Sequence, residues 1–569
     1  MKTSTAPMQN DLHLSLDRER PCCWAVKHSP AKYFIPVKNH KGNHGSVFIQ
    51  GICCDNSGKE LSVAEVSALI DKHGMQALDH LDGTFVIAVD DDRDGVWCAT
   101  DHSATLPLYY SLTSKELIIS TRPENMTFSS DADIDLAGVL STLNTGYPWG
   151  ELTLHSSWKV LRPGNVLVAD KSGNVTVKEY FLGENDTEVQ GFTSPTELLQ
   201  ELEKSVTALA SRYKKLLIPL SGGVDSRLIT LTCHKLGIPF EAITFVANVP
   251  DGDDFDIASR LVKIYGVKHH RWEWTPSKDT LEHFYKLCMS TGGTNDAYTT
   301  YPDGMRFFAD VASQFDCVLR GDHSFGFGNH SESLFQSAYE LCINYKDDLN
   351  WMLKDEYRNK TNLESVFEEQ EQVCAQLKGT AVNEWRHRSR RLTRNPRAHL
   401  PIGQLQAEHV TIGYPLLSRN IVKRMARTAT ELKNNKQIAH DALAILSPPD
   451  VKKIPHSSRH TWLSGEPLLN LPREVLDGMV DFISKPGVLS DMIDELAAVG
   501  RFTPMLENAG GKPARASLTK NAKQLIKKLL PRRMLHTYQD KVSYPKTPPY
   551  LVFKRLFALK VFIENRWDR

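Results

Sequence analysis

A short run between residues 219 and 227, P-L-S-G-G-V-D-S-R, carries residue types that bind a phosphorylated ligand. An apolar segment, Leu216 to Leu220, leads into two glycines, and a helical pattern follows at once. Backbone N–H groups at a helix N-terminus carry partial positive charge, and glycines let a phosphate approach because they have no Cβ. Ser221 and Ser226 add hydroxyl donors. Asp225 would repel a bare phosphate, so its presence indicates a divalent cation, and the run predicts a nucleotide with its metal.

The same run resembles the pyrophosphate loop, S-G-G-x-D-S, of ATP pyrophosphatases, which split ATP into AMP and pyrophosphate. It lacks the Lys of a Walker loop and the three-glycine spacing of a dinucleotide fingerprint. The resemblance implies that ATP and Mg²⁺ are the cofactors and that Asp225 is a metal ligand. The loop residues implied to contact the nucleotide are Leu220, Ser221, Gly222, Gly223, Asp225 and Ser226. The alternative is an ordinary glycine-rich turn between a strand and a helix.

Length and composition indicate a two-domain globular protein. The chain has 569 residues, several times the length of a typical domain of ~100–200 residues. Lys+Arg and Asp+Glu both number 68, so no global field favours nucleic acid or membrane as a partner. The ten cysteines form no C-x-x-C pair and have no His spacing typical of zinc, which favours reduced thiols. The first twenty residues lack the apolar core of a signal peptide, so we expect a cytoplasmic protein.

Residues 1–185 have the pattern of a mainly β N-terminal domain. Short strand-like runs are separated by acidic turns, and one helix is predicted from Val63 to His73. The strand-like runs are Ser46–Ile49, Thr84–Val89, Gly95–Cys98, Leu117–Ser120 and Asn165–Val168. The polar stretch 183–187 is interpreted as a linker.

Residues 193–569 are predicted to form the second domain, which begins with a helix from Pro195 capped by Thr193 or Ser194. Helix and strand patterns then alternate from residue 225 to residue 274, which favours a parallel, doubly wound α/β sheet. Ligands of such sheets bind at the carboxyl ends of the strands, where Ser221 and Phe245 fall, so Phe245 is added to the nucleotide site. From about Ser331 onward the pattern is helical without strands, which predicts a C-terminal helical lobe.

The tail from Lys512 to Arg569 is basic and interleaved with apolar residues such as Phe553 and Phe557. Such a stretch could contact nucleic acid or an acidic peptide. A solvated helix face is the more common reason for this pattern, and it is the expectation here.

A second carboxylate is required because Mg²⁺ prefers octahedral oxygen ligation beside a polyphosphate. The run R-G-D-H-S-F-G, residues 320–326, follows a strand-like segment and resembles the loop G-x-D-[EH]-x-F-G of asparagine synthetase-like enzymes. One residue between Gly and Asp is missing, and His323 stands where the family usually has an acid. The resemblance implies that Asp322 is the second metal ligand and a catalytic residue, and that Gly321 contacts the nucleotide. The alternative is a glycine turn with a surface Asp.

Adenylation also favours a cation where negative charge develops at the α-phosphate. The family to which the two loops point has a Lys downstream, and the candidates here are Lys436, Lys452 and Lys453. We select Lys453 as the catalytic lysine by its order in the chain and its distance from the segment Pro415–Leu417.

The order of motifs along the whole chain resembles asparagine synthetase B. The runs L-D-G-T-F at 81–85 and L-P-L-Y-Y at 106–110 precede the nucleotide motifs, as in that family. The family releases ammonia from glutamine with an N-terminal Cys, whereas here Met1 is followed by Lys2 and neither R-G-P-D nor N-G-E occurs. The resemblance therefore implies an α+β Ntn-hydrolase-like domain that has lost its nucleophile, and glutamine hydrolysis has no mechanism.

This degenerate form resembles β-lactam synthetases and lasso-peptide macrolactam synthetases. The resemblance implies a ligase that adenylates a substrate carboxylate, releases pyrophosphate and then AMP, and couples the acyl group to a substrate amine. The substrate would be a small molecule or a peptide, with a precursor peptide or a protease as a further partner. Two alternatives remain open: an ammonia-using enzyme that forms asparagine or amidates a sugar acid, and a non-catalytic scaffold.

Overall fold

The structure, a computed structural model, describes residues 13–17, 24–26, 37–43, 45–93, 95–181, 189–247, 254–311, 314–324, 349–358, 380–457, 468, 471–509 and 549–564. These ranges do not include the predicted linker at 183–187. They also do not include Cys22, Cys23, Asp253, Phe325 and Gly326.

The first part of the chain forms two antiparallel sheets that pack face to face. Among the described residues their strand orders are β2-β1-β8-β7-β9 and β11-β10-β6-β5-β4-β3. The strands are β1 His13–Asp17, β2 Trp24–Val26, β3 Val37–Lys41, β4 Gly45–Cys54, β5 Asp82–Asp91, β6 Gly95–Thr100, β7 Tyr109–Leu112, β8 Glu116–Ser120, β9 Trp158–Val160, β10 Asn165–Ala169 and β11 Val175–Glu179.

Helices cover the outer faces of both sheets. Helix α1, Val63–His73, packs Val66 and Ile70 against one sheet, and α2, Leu136–Thr145, packs against the other. Helix α1 begins where predicted because Ser62 and Glu65 form a capping box. The layers are helix, sheet, sheet and helix. The mainly β pattern and the helix at 63–73 are confirmed for the described residues, but α2 was not predicted.

The second part of the chain is built on a parallel sheet with the strand order β14-β13-β12-β15-β16 among the described residues. Its strands are β12 Leu216–Pro219, β13 Phe240–Ala247, β14 His269–Trp274, β15 Cys317–Leu319 and β16 Thr411–Gly413. Leu216 and Ile218 face one core, whereas Leu217 faces the other, so both faces of the sheet are covered. The predicted parallel α/β sheet is confirmed.

Helices surround this sheet. The α-helices are α3 Pro195–Arg212, α4 Val224–Lys235, α5 Asp254–Tyr265, α6 Thr280–Ser290, α7 Arg306–Asp310, α8 Asp355–Arg358, α9 Thr380–Ser389, α10 Leu400–Gln406, α11 Arg419–Arg427, α12 Thr430–Lys433, α13 Gln437–Leu446, α14 Pro449–Lys452, α15 Arg473–Ser484, α16 Glu495–Ala509 and α17 Pro549–Glu564. A π-helix, Arg390–His399, joins α9 to α10. In the described residues no helix has the length and apolarity that a membrane crossing needs.

One prediction about the helical lobe is wrong. Strand β16, Thr411–Gly413, lies beyond residue 331 and pairs in parallel with β15. A strand of three residues is too short to show the alternating pattern by which strands are recognised in a sequence. Its tertiary position next to β15 makes it a strand.

The expectation of a solvated helix face in the basic tail is wrong for α17. Phe553, Leu556, Phe557 and Leu559 of this helix are fully buried, and they join the core that also holds Leu143 of α2. A helix with apolar residues on every side is an interior helix, and its basic residues are then placed inside the protein as well. Helix α17 therefore connects the two parts of the chain through a shared core.

Truncation of Phe553 tests the burial of α17. The Phe553 ring stacks on Phe502 with 3.7 Å between ring centroids and is fully buried. We expect Phe553→Ala to lower the free energy of unfolding by about 3–5 kcal/mol, because a large buried ring leaves a cavity. Thermal unfolding should show a lower midpoint. Leu496→Ala, at a side chain that is 66% exposed, is the control and should leave the midpoint unchanged. Equal midpoints for both variants would contradict the buried position.

Candidate functional site

A cavity of about 590 Å³ opens at the carboxyl ends of the parallel strands. Its lining includes seven of the predicted site residues, Leu220, Ser221, Asp225, Ser226, Phe245, Gly321 and Asp322. Gly222, Gly223 and Lys453 are not among the lining residues. Ligand pockets typically enclose about 300–1,000 Å³, so the cavity has the size of a small-molecule site.

The glycine loop joins β12 to α4 and is folded onto itself by its two serines. The amide of Ser221 donates to Ser226 Oγ at 3.1 Å, the two hydroxyl oxygens lie 3.1 Å apart, and the amide of Gly223 donates to Ser221 Oγ at 3.2 Å. Gly223 is the N-cap of α4. The strand-to-helix turn predicted from the sequence is present, and the two serines set the shape of the loop.

Gly222 is packed too closely for a side chain. A Cβ at this position would lie 2.6 Å from Ser457 Cβ and 3.0 Å from Asp254 Oδ1. The Gly222 amide donates to Asp254 Oδ1 at 2.8 Å, so a carboxylate already accepts this loop amide. A phosphate that bound the same amide would have to displace Asp254, which also lines the cavity.

Asp225, in the first turn of α4, lies at the centre of the site, and its side chain is 20% exposed. Its Oδ2 accepts a hydrogen bond from Lys436 Nζ at 2.5 Å, and His323 Nε2 lies 3.5 Å away. Burial raises the pKa of the Asp225 carboxyl, but Lys436 and His323 outweigh burial and hold the pKa below its usual value. Asp225 Oδ1 is buried without a hydrogen-bond partner. An ionised carboxylate with one unpartnered oxygen is a donor that fits a divalent cation.

Lys436 reaches Asp225 from a strained turn before α13. Asn435 and Lys436 have φ of 51° and 55°, in the left-handed region. Non-glycine residues rarely adopt this conformation, which costs about 1–3 kcal/mol each, and such strain clusters at functional sites. The sequence named Lys436 as one of three candidates, but it contains no signal for the turn that directs this side chain to Asp225.

Asp322 lies at the cavity in a tight pair with Arg320. Arg320 Nε donates to Asp322 Oδ2 at 2.6 Å, and Nη2 donates to Oδ1 at 3.3 Å. Burial lowers the pKa of the Arg320 guanidinium, but Asp322 outweighs it and the pKa is raised overall. Gly321 allows this loop to approach α4, since a Cβ there would lie 3.3 Å from Asp225 Cβ. Both Asp322 oxygens accept from Arg320, so a metal ion bound by Asp322 would use the lone pairs that remain on these oxygens.

Lys453, the lysine selected from the sequence, pairs with a neighbour in the chain, Asp450. Its Nζ lies 3.0 Å from Asp450 Oδ1, and its side chain is 75% exposed. The backbone that follows Lys453 packs on α4, because Arg227 of α4 donates to the carbonyls of Ile454 and Pro455. Nothing tests the catalytic role of Lys453, which stays a prediction.

Aromatic rings form the wall of the cavity beside β13. Phe245 stacks on Trp274 with 5.0 Å between ring centroids and 6° between ring planes. Phe307 packs edge-on against Phe245 at 5.1 Å. Flat apolar faces of this kind suit a ligand ring or an alkyl chain, which agrees with the predicted place of Phe245 in a binding site.

Charged residues that the sequence reasoning missed line another part of the cavity. Asp296, Lys554 and Arg555 all face it. Arg555 Nε donates to Asp296 Oδ2 at 2.8 Å, and Lys554 Nζ lies 3.8 Å from the same oxygen. The sequence does contain one signal for this group, because Lys554 and Arg555 are adjacent within the apolar run 551–563. Charged residues surrounded by apolar residues in a helix indicate an interior position.

Gly146 lets the N-terminal part of the chain contact this charged group. It caps α2 with φ 90°, and a Cβ there would lie 3.0 Å from Asp296 Oδ2 and 3.1 Å from Arg555 Nη2. Arg555 Nη1 also donates to the carbonyls of Leu143 and Asn144 at the end of α2. The N-terminal layers therefore form part of the cavity wall.

Two family models match the chain. The model for the glutamine amidotransferase domain matches residues 61–181, and the model for asparagine synthase matches residues 197–481. The second match covers half of the chain, and the chain belongs to the asparagine synthase family. The predicted fold class, an Ntn-like N-terminal domain followed by the α/β sheet with its helical lobe, is thereby confirmed. Family membership supports an ATP-dependent carbon–nitrogen ligase as the general class of protein. The domain limits 1–185 and 193–569 stay predictions.

Solved structures with partial similarity are distant. NMN synthetase from Francisella tularensis shares 20% identity over 23% of this chain and 56% of its own length, with a TM-score of 0.18, so the chain spans little more than half of that protein. An allosteric regulatory enzyme of purine biosynthesis shares 11% identity over 44% and 66% of the two chains, with a TM-score of 0.18. Glutamine phosphoribosylpyrophosphate amidotransferase from B. subtilis shares 9% over 56% and 74%, with a TM-score of 0.17. No curated protein matches.

Proposed function

We propose that this protein is an ATP-dependent ligase that activates a substrate carboxylate as its acyl-adenylate and couples the acyl group to a substrate amine. Chief support comes from one arrangement, in which Asp225 lines the cavity beside the serine-glycine loop and pairs with Lys436. It combines a loop that suits a polyphosphate, a carboxylate that suits a divalent cation, and a cation that suits developing negative charge.

In the first half-reaction an oxygen of the substrate carboxylate attacks the α-phosphorus of ATP, and the bond from that phosphorus to the bridging oxygen of pyrophosphate breaks. The loop from Ser221 to Ser226 would hold the phosphates. Lys436 would stabilise the negative charge that increases at the α-phosphate. Mg²⁺, when bound, would neutralise charge on the leaving pyrophosphate, with Asp225 as the fitting ligand and Asp322 as the second one predicted.

In the second half-reaction the amine nitrogen attacks the acyl carbon, and the bond from that carbon to the oxygen of AMP breaks. The amine proton passes to solvent or to a cavity base. The aromatic wall around Phe245 would limit access of water, which favours the amine over hydrolysis. An amine on the same substrate, as in lasso-peptide or β-lactam formation, is the preferred nucleophile in this proposal, with a small molecule or a precursor peptide as substrate.

Detection of AMP with hydroxylamine as a surrogate amine tests the proposed reaction. Purified full-length protein, ATP, Mg²⁺ and a panel of carboxylic acids and peptides should yield AMP and hydroxamate in equal amounts when a suitable acid is present. Asp225→Asn is the matched inactive control. ADP and phosphate in place of AMP and pyrophosphate would contradict the proposal, and absence of ATP cleavage with every acid would favour the scaffold alternative.

Glutamine and ammonium distinguish the proposed ligase from the ammonia-using alternative. We expect no release of glutamate from glutamine, because the chain has neither the R-G-P-D nor the N-G-E stretch that would hold this substrate. AMP formation should not depend on ammonium when the substrate carries its own amine. Glutamate release coupled to ATP use would contradict the proposal, and an absolute requirement for ammonium would establish the alternative.

A further inference from the structure

A second cavity, of about 70 Å³, lies between strands of the N-terminal sheets and the π-helix Arg390–His399. The described residues that line it include none that line the cavity at the carboxyl ends of the parallel strands. The π-helix separates the two cavities, because Pro396 and Arg397 line the second one, whereas Ala398 and His399 line the first. Helices of this type are rare and often occur at functional sites. The second cavity is therefore a separate candidate for ligand binding.

The charges around this cavity do not balance. Among the described residues its charged lining consists of three arginines and one glutamate, Arg122, Arg162, Arg397 and Glu408. Arg122 Nη1 lies 4.0 Å from Oε1 of both Glu124 and Glu408. Arg162 Nε lies 3.3 Å from Glu151 Oε1. Arg397 has no such carboxylate in the described part of the chain, so it is the arginine that these pairs leave over.

Arg397 is deeply buried, with 6% of its surface exposed. Its Nη2 donates to the carbonyl of Leu152 at 2.8 Å, but its Nε is buried without a hydrogen-bond partner. Burial lowers the pKa of the guanidinium, and the Tyr109 phenol offsets this effect only in part. Arginine stays charged in proteins, and a buried charge is costly unless an opposite charge compensates it. The wall of the cavity therefore carries a positive charge that an anion would compensate.

Thr121 adds a second unpartnered group to the same lining. It is 6% exposed, and its Oγ1 is buried without a hydrogen-bond partner. A buried hydroxyl is also costly when it lacks a partner. Much of the remaining lining is apolar, and Leu106, Leu161 and Pro163 belong to it. A ligand that suits this cavity has an acceptor group at one end and an apolar part at the other.

We propose that this cavity binds a small carboxylic acid in its ionised form, with the carboxylate accepting from Arg397 and the apolar part against the aliphatic lining. A carboxylate fits because its single charge balances one guanidinium and its two oxygens match the donors of an arginine. One water needs about 10–15 Å³ by the same measure, so a cavity of about 70 Å³ holds a ligand of roughly six non-hydrogen atoms. The site does not depend on the proposed ligase reaction, because the two cavities have separate linings.

Butyrate and butyramide are suitable probes, because they have the same shape and only butyrate is charged. Calorimetric titration of the full-length protein without nucleotide should give a Kd for butyrate at least about tenfold lower than for butyramide, since one charged contact contributes roughly that factor or more. Arg397→Met should weaken butyrate binding by at least about tenfold for the same reason. Arg306→Gln, at an exposed arginine that pairs with Asp310, is the control and should bind butyrate as wild type does.

A crystal structure of the wild-type protein with butyrate locates the site without any variant. The butyrate carboxylate should lie within hydrogen-bond distance of Arg397 Nε. Butyrate found only in the nucleotide cavity would overturn the proposal, as would equal affinity of wild type for butyrate and butyramide. Equal butyrate binding by wild type and a folded Arg397→Met would also overturn it. The structure and the wild-type titration remain decisive if Arg397→Met does not fold.

Discussion

Asp225→Asn should lower AMP formation by about 100- to 1,000-fold while the protein keeps its fold, a loss typical of removing one electrostatic group from an active site. Asn has the shape of Asp but not its charge, so it neither pairs with Lys436 nor holds a divalent cation as well. Asp225 Oδ1 is buried without a hydrogen-bond partner, so it is the oxygen that would bind the divalent cation. Chromatographic measurement of AMP at saturating ATP and Mg²⁺ gives the result.

Asp477→Asn is a suitable control, because Asp477 lies on an exposed face of α15 and pairs with Arg473 in a helical i,i+4 contact. It should leave AMP formation unchanged. Full activity in Asp225→Asn would contradict the metal assignment. Asp322→Asn should also lose turnover if Asp322 is the second metal ligand, whereas retained turnover would leave Asp322 as the partner of Arg320 only.

Replacing Lys436 should reduce kcat far more than it raises KM for ATP. The negative charge near Lys436 increases as the carboxylate attacks, so the cation contributes more to the transition state than to ATP binding. We expect kcat to fall by roughly 100- to 1,000-fold in Lys436→Gly. Glycine relieves the left-handed backbone at this position, where φ is 55°, which offsets part of the stability lost with the Lys436–Asp225 ion pair. Steady-state kinetics and a thermal midpoint together measure both effects.

Lys453→Ala is the direct comparison for this prediction. Lys453 was selected from the sequence, but its ammonium pairs with Asp450 in solvent, so we expect it to retain activity close to wild type. An inactive Lys453→Ala beside an active Lys436→Gly would reverse the assignment and support the sequence-based choice. A folded Lys436→Gly variant that keeps the wild-type kcat would contradict the proposed role of Lys436.

The sequence predicted those elements whose ends are fixed by local chemistry. The bounds predicted for α1 agree with the structure, and Ser194 caps α3 as one of the two residues proposed. Apolar periodicity and capping residues act over a few positions, so they can be recognised in a sequence. Strand β16 was missed because its three residues become a strand only through their contact with β15.

The candidate site was predictable to the extent that it lies within single loops. The glycine loop and Asp322 are local motifs, and they do meet in the cavity. The contacts of Lys436 and of the charged wall could not be predicted in this way. Asp225 and Lys436 are 211 residues apart, and Asp296 and Arg555 are 259 apart, so only the tertiary fold brings them together.

The contact between Arg555 and the end of α2 has a consequence for how the protein acquires its binding site. Arg555 donates to Leu143 O across 412 residues of sequence. Such distant contacts form late, because the entropy of closing a long chain segment must be overcome before the contact is gained. During synthesis the glycine loop and its sheet can assemble well before α17 is made. Residues of α17 line the cavity, so in a nascent chain the glycine loop would form before the cavity is complete.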